Sequence, residues 1–463
     1  MDLFTLHFTK DEPLYQQLYH YIKSNIEDGT LKPHEKLPSK RKLSDYLNLS
    51  QNTIQSAYNQ LLDEGYLYSK ERSGYYVEKI DWFMTPIEKK DISIETKKTT
   101  SYSHDFDFNS IDTSEFPKKE FAKAYKDAIE EVSLFETTGS PQGLYSLRES
   151  ISRYLLSSRG VDTSPENIVI SSGAEYLYDL LIRLLPKKTV YGIENPGYAK
   201  IGLLFRENKL SHVPVPIQDN GIEIEDLNEN EIDCISISPS HQFPTGILYP
   251  ISKRYELLKW ATQENSWIIE DDYDSEFRYS GKPIPALKGL DKSDRVIYLG
   301  SFSKSFSPAL RISYLVLPDS LMLRYLDLAH FFVCPVPSLT QRVFQQFMDN
   351  GNFTKHLNKM RSLYGRKREH LISELLKTKF PLSFLGTEAG LHLHIRLHTQ
   401  IKERILVEKA LNHDCKVYGI TDYYYNNMNP HKTAELLLGY GNLSEVQITE
   451  GVQKLKEAWK DCF

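Results

Sequence analysis

The sequence predicts two folded parts of different class: a small α+β head, then a larger α/β domain with a mostly parallel central sheet and a small C-terminal subdomain. Three observations carry this. Short helical periods broken by Pro and Gly, then a hairpin signature, fill residues 1–79. Five near-continuous apolar runs, separated by helix-like stretches, recur through residues 116–463. Between them, residues 80–115 lose periodicity and turn to mixed charge, Ser and Thr, as in IEKKDISIETKKTTSYS. That stretch reads as a linker, or else as an irregular arm packed on one domain.

In the head, Leu14, Leu18, Ile22 and Ile26 recur at helical spacing between Pro13 and Gly29. A short helix is expected after Ser39. A third after Ser50 carries Ile54, Ala57, Tyr58, Leu61 and Leu62 and stops at Gly65. YLYSKERSGYYV then reads as a hairpin turning near Ser73 and Gly74. In the larger part, NIVIS, TVYGI, DCISIS, SWIIED and RVIYLG are the buried-strand candidates. A long helix is expected after Leu317, then a smaller α/β subdomain closing in a helix near 448–459.

Bulk properties narrow the class. A chain of 463 residues exceeds what one core organises, and 40% hydrophobic with 25% charged residues is ordinary for a globular protein. The four cysteines are scattered without a CxxC pair, which argues for a reduced compartment and against a disulfide framework or a metal site. The start lacks a signal-peptide profile and no apolar run reaches membrane length, so a cytoplasmic protein is expected. A formal net charge of −6 means that any nucleic-acid site must come from locally grouped cations.

One such group exists. LPSKRKLSDYLNLSQNTIQSAYNQLLDEGYLY has helix–turn–helix spacing, with the turn near 48–50 and Ser50 placed to cap the third helix. That helix buries its apolar side and presents Gln51, Asn52, Gln55 and Asn59, amides able to pair with adenine edges in a major groove. Lys36, Lys40, Arg41 and Lys42 form the dense cationic cluster, suited to phosphates. The spacing alone equally describes a small helical domain whose polar face meets water.

The densest chemistry lies in GSFSKSFSPALRISYLVLP. A lysine in a Ser-rich turn after a strand, with an arginine seven residues on, could hold a phosphate ester beside an amine. Lys304 would be an amine able to form a Schiff base, with Ser301, Ser303 and Arg311 on the phosphate. SWIIEDDYD ends another buried strand at Asp271, placed to keep a pyridine nitrogen protonated, with Tyr273 near a phenolic oxygen. ISSGAEYLYDLL sends a strand through Gly173 into a helix whose first amides, at Ala174 and Glu175, would complete the phosphate cradle. Tyr198 in ENPGY is suited to stack on a ring. Singly, each has a plain structural role open to it: surface lysine, helix cap, half of an ion pair, simple packing. Their joint order is what points to pyridoxal phosphate.

Two resemblances add to this reading. LPSKRKLS, NLSQNTIQSAYNQLLDEGYL and SGYYV resemble the GntR-type winged helix from Pro13 to Val77. By that resemblance Arg41, Ser50, Asn52 and Thr53 contact DNA and Gly74 lies in the wing; the family's usual arginine at the start of the recognition helix is Gln51 here. From about Phe106 to Trp459 the chain resembles fold-type-I aminotransferases. SPSHQFPTG, EDDYDSEFRY, LGSFSKSFSPALR and LLLGYGNLSE narrow the resemblance to the MocR/GabR regulators, which join this catalytic-type fold to a GntR head.

The resemblance implies pyridoxal phosphate bound on Lys304, a head-to-tail homodimer on double-stranded operator DNA, and sensing of an amine, an amino acid or the cofactor itself. Two departures bear on the ligand. Phe243 stands where aminotransferases place the Asn that binds the phenolic oxygen, leaving that contact to Tyr273. Leu437 stands at the place of the carboxylate-binding arginine, removing a bidentate clamp, with Lys200 left to offer a weaker point charge. The expected function is therefore a pyridoxal-phosphate-dependent transcription regulator whose effector is not an ordinary α-amino acid. A class-I aminotransferase with an accessory head, retaining transaminase activity, is the alternative. A DNA-binding protein with a cofactor-free domain is the third reading.

Overall fold

Hydrophobic spacing in the N-terminal segment dictates three helices, and the computed structural model forms them as α1 (Leu14–Glu27), α2 (Lys40–Leu47) and α3 (Gln51–Asp63). The structure describes residues 6, 8–9, 12–80, 101–279, 284–425, 429 and 433–463. Leu18, Ile22, Leu43, Ile54, Ala57, Tyr58 and Leu61 are fully buried and bind the three helices into one core. Ser39 caps α2 and Ser50 caps α3, each accepting an amide from the first helical turn. Asn48 takes the left-handed conformation that ends α2. A two-stranded antiparallel hairpin, β1 (Leu67–Lys70) and β2 (Gly74–Val77), completes the winged helix-turn-helix.

The chain divides into two units, Met1–Lys98 and Thr99–Phe463. Residues 81–100 of the expected linker lie outside the described residues. Its later part does not stay free: β3 (His104–Asp105) pairs with Cys415–Lys416, and Phe106 is fully buried in the C-terminal subdomain. The linker expectation is corrected for this stretch. Phe106 and Phe108 supply apolar area that a solvated linker leaves exposed, so these residues pack as an arm.

The central sheet is built from β4 (Ile168–Ser171), β5 (Tyr191–Asn195), β6 (His212–Pro216), β7 (Cys234–Ile237), β8 (Trp267–Asp272), β9 (Val296–Ser301) and β10 (Ser313–Val316). Its order is β4-β10-β9-β8-β7-β5-β6, parallel except for β10, which runs antiparallel to both neighbours. The five expected strands are all present. The two unannounced ones have physical reasons: β6 carries Pro214 and Pro216, which obscure a strand pattern and confine it to the sheet edge. β10 follows a Ser-rich turn so closely that its apolar run reads as part of that turn.

The long helix expected after Leu317 is three: Asp319–Leu328, Ser338–Asp349 and Asn352–Lys377. Pro335 and Pro337 interrupt it, as does Gly351, which adopts φ +70°. The C-terminal subdomain is a four-stranded antiparallel sheet of β11 (Leu382–Leu385), β12 (His392–Leu397), β14 (Tyr418–Gly419) and β15 (Ala434–Gly439), with β13 (Cys415–Lys416) against β3. The last helix, Glu445–Ala458, opens with a Ser444–Gln447 capping box. No helix among the described residues is long and apolar enough to cross a membrane.

Candidate cofactor site and DNA-binding head

In a mostly parallel sheet, the carboxyl ends of the strands leave a crevice where loops can converge. Here that crevice is a cavity of about 330 Å³, and all nine residues singled out for a cofactor line it: Ala174, Glu175, Tyr198, Asp271, Tyr273, Ser301, Ser303, Lys304 and Arg311.

One end of the cavity is built for an anion. The Ala174–Leu184 helix starts at Gly173, and its first amides have no acceptor within the helix. Gly173 adopts φ +90°, and a Cβ there would fall 2.2 Å from Nη2 of Arg311. The close approach of that guanidinium therefore requires glycine. Arg311 itself sits at φ +53°, strain of the kind stored at functional sites. Its Nη2 donates to the Ser172 carbonyl at 3.2 Å. Across the turn, the Ser301 hydroxyl donates to Ser303 at 3.0 Å and receives the Ser303 amide at 3.2 Å.

Glu175 adds something unforeseen. Its carboxylate pairs with Arg311 and with Lys200, each at 3.3 Å, so an acid shares the anion cradle. Sequence reasoning valued only the backbone amide of this residue. The side chain follows it into the site because the second position of a helix turns toward the open N-terminus.

Acidic groups line the same cavity. Asp271 is the penultimate residue of β8, and the last, Asp272, is buried, receives Arg159 Nε at 2.7 Å and accepts the Tyr298 hydroxyl. Burial first, then the carboxylates of Asp272, Glu194, Asp274 and Glu175, push Asp271 up to about 7. A carboxylate so destabilised gains most from a cationic N–H. Glu194 is likewise pushed to about 7 by burial, although Ser238 (2.8 Å) and Tyr249 (2.7 Å) donate to it. Those bonds, with Gln242 Nε2 donating to the Pro196 carbonyl at 3.0 Å, fix the loop that brings Phe243 to the cavity.

Lys304 donates to the carbonyl of Phe108 at 2.5 Å. Burial lowers its amine to about 8, with the carboxylates of Asp274 and Asp107 opposing the shift. A lysine so placed has an appreciable neutral, nucleophilic fraction near neutrality. Tyr273 is held in place: its hydroxyl is 3.0 Å from Nδ1 of His241, which is also 3.0 Å from Asp274 Oδ2. His241, Asp274 and Phe108 are the site residues that sequence reasoning missed. The first two were visible in the quoted motifs, but only tertiary contact joins them.

The residues present fit pyridoxal phosphate: an anion cradle, an amine and an acid occupy one cavity. Leu437, at the place of the expected carboxylate clamp, is fully buried behind Phe108 and Phe243. Lys200 is 61% exposed and spent on Glu175. Among the described residues no group of three or more His, Cys, Asp or Glu could hold a metal ion.

In the head, Gln51, Asn52, Arg41, Lys42 and Lys36 are exposed, while Lys40, Thr53, Gln55 and Gly74 are partly so. Ser50 serves as a cap, its hydroxyl accepting the Thr53 amide at 3.1 Å. Lys40 donates to Gln55, whose amide donates to Asn59, so these side chains form a chain along the helix surface and must rearrange to read a base. Gly74, at φ +113°, opens β2. The hairpin adds two further exposed cations, Lys70 and Arg72.

Residues 105–452 match the family described as aminotransferase class I and II, and residues 14–77 match the bacterial regulatory proteins of the gntR family. The chain is 38% identical over 98% of both chains to YdeL, an HTH-type transcriptional regulator of Bacillus subtilis. It is 30% identical, over 97% of this chain and 94% of the relative, to the probable rhizopine catabolism regulatory protein MocR of Rhizobium meliloti. It is 31% identical, over 81% and 82%, to the pyridoxine biosynthesis transcriptional regulator PdxR of Corynebacterium glutamicum. The crystal structure of a kynurenine aminotransferase from Pyrococcus horikoshii shares the fold, with TM-score 0.70 at 24% identity over 78% of this chain and 92% of that one. A GntR-type head joined to an aminotransferase-type domain defines a class of transcription regulators. This chain belongs to it, as a member of the MocR/GabR subfamily.

Proposed function

We propose that the chain regulates transcription by binding operator DNA through its head and holding pyridoxal phosphate in the cavity of its large domain, where an amine-type ligand or the cofactor itself is sensed. Lys304, lowered to about 8 and sharing one cavity with an anion cradle and Asp271, is the observation that carries this reading. Pyridoxal phosphate supplies an aldehyde that takes a primary amine reversibly.

The chain's own residues do the rest. Arg311, Ser301, Ser303 and the amides of Ala174 and Glu175 would hold the phosphate. Asp271 would keep a proton on the ring nitrogen, Tyr273 would donate to the phenolic oxygen, and Tyr198 would pack on the ring. In the head, Arg41 and Lys40 would meet phosphates, Gln51, Asn52, Thr53 and Gln55 the groove, and Ser50 and Gly74 would set helix and wing. The resemblance to MocR/GabR regulators supports a head-to-tail homodimer, and action on operator DNA supports a cytoplasmic location. Ligand binding signals only if it favours one arrangement of the dimer over another.

The test has two arms. Purified protein should be yellow, and Lys304→Ala should abolish the colour. DNA flanking the protein's own gene should show a footprint that changes with pyridoxal phosphate or with an added amine. A colourless protein, or turnover of amino donors with a keto acid and no footprint, would replace this reading with the alternatives.

A further inference from the structure

The part of the cavity beyond Lys304 differs in chemistry from the rest. Phe108 and Phe243 line it with ring centroids 5.4 Å apart. Tyr423 packs behind both, at 5.9 and 5.2 Å, and Tyr198 stands edge-on to Phe243 at 6.1 Å. The other groups beside this wall are Asn109, Leu391 and His392. Burial drives His392 well below the usual imidazole range, so it is neutral, its Nε2 donating to the Pro244 carbonyl at 3.2 Å.

Charge is arranged against an anion here. The described residues lining the cavity include four carboxyl groups, those of Glu175, Glu194, Asp271 and Asp274. Three cations face it, and two of them, Lys304 and Arg311, are used by the cofactor reading. The third, Lys200, is paired with Glu175 and largely exposed. Among the described residues lining the cavity, no cation is left unpaired to meet a carboxylate placed against the aromatic wall, which would lose its water. An amine with an apolar body meets the opposite situation: rings for its body and ring faces for its charge.

We propose that the ligand sensed in this cavity is a primary amine with an aromatic or apolar body and no carboxylate, seated against Phe108 and Phe243. The inference rests on the proposed cofactor site.

The test compares 2-phenylethylamine with L-phenylalanine, which share a body and differ in the carboxylate. Full-length protein loaded with pyridoxal phosphate is titrated with each, following heat and the absorption of the bound cofactor. Phenylethylamine should bind roughly tenfold or more tightly than phenylalanine. Phe108→Ala should weaken phenylethylamine about fivefold more than it weakens methylamine. Equal or tighter binding of phenylalanine overturns the proposal, as does binding of neither. Phenylalanine binding that disappears in Lys200→Ala also overturns it, by making Lys200 a carboxylate holder. Protein that never takes up the cofactor refutes the cofactor site itself, and the absent cofactor absorption distinguishes that failure from a wrong ligand class.

Discussion

Nδ1 of His241 lies 3.0 Å from the hydroxyl of Tyr273, and the same nitrogen is 3.0 Å from Oδ2 of Asp274. His241 and Asp274 are both buried, and Gly390 makes room for them: a Cβ there would fall 2.1 Å from Cε1 of His241. Tyr273 thus reaches the cavity on a fixed support. His241→Ala should leave the Asp274 carboxyl without its ring partner and cost about 1–3 kcal/mol, read by denaturant unfolding. It should also change the pH dependence of the bound cofactor's absorption in the same direction as Tyr273→Phe. An unchanged pH profile in His241→Ala would restrict the histidine to a structural role.

The lowered amine of Lys304 sets a pH window. Only its neutral form captures an aldehyde, so uptake of pyridoxal phosphate should accelerate as pH rises toward about 8 and level off above it. Between pH 6 and 7 the neutral fraction, and hence the initial rate of uptake, should grow about tenfold. Stopped-flow absorption at fixed cofactor concentration measures this. A rate still climbing tenfold per pH unit beyond pH 9 would mean an ordinary exposed lysine.

Glu175 occupies Arg311 and Lys200 where a phosphate would sit. Its partners are about half exposed, so the competition is modest, on the order of 0.5 kcal/mol. Glu175→Gln should therefore bind pyridoxal phosphate about two- to threefold more tightly. Added inorganic phosphate should compete better against the variant than against the wild type. Fluorescence titration reads both, and weaker binding in the variant would show that Glu175 helps the site rather than competing in it.

In the head, Gln51 is exposed at the first position of α3. Gln51→Arg should tighten binding to operator DNA and steepen the salt dependence by about one phosphate contact, near 0.9 in the log–log slope. Arg41→Ala should do the reverse. Anisotropy titrations at several salt concentrations decide it. A change of affinity without a change of slope would assign these positions to base readout.

Much of this was legible because the signals are local. Ser39, Ser50 and the apolar stripe of α3 announce the head through capping and periodicity within a few residues of each other. Lys304, Asp271 and Gly173 each stand at or just past the carboxyl end of a parallel strand, and those ends share one edge of the sheet, to which the amino end of antiparallel β10 brings Arg311 as well. That geometric rule carries three separate motifs into one cavity. What escaped depended on long-range contact: Phe108 is 196 positions from Lys304, and His241 meets Tyr273 across 32. The extent of the linker escaped for the same reason, since the burial of Phe106 is decided by a subdomain that closes near the C-terminus.

The sequence by itself determined the pairing of a GntR-type head with an aminotransferase-type domain, and it determined which side chains could hold a cofactor. Both follow from the order and type of residues over short spans. Only the tertiary structure decided how those side chains are charged and what stands between them. Burial lowers Lys304 and raises Asp271 because low dielectric disfavours charge, whatever the neighbouring letters are. Packing likewise turned the leucine at position 437 from a missing clamp into the backing of an aromatic wall, because apolar side chains from the arm, the central sheet loops and the last subdomain close over it.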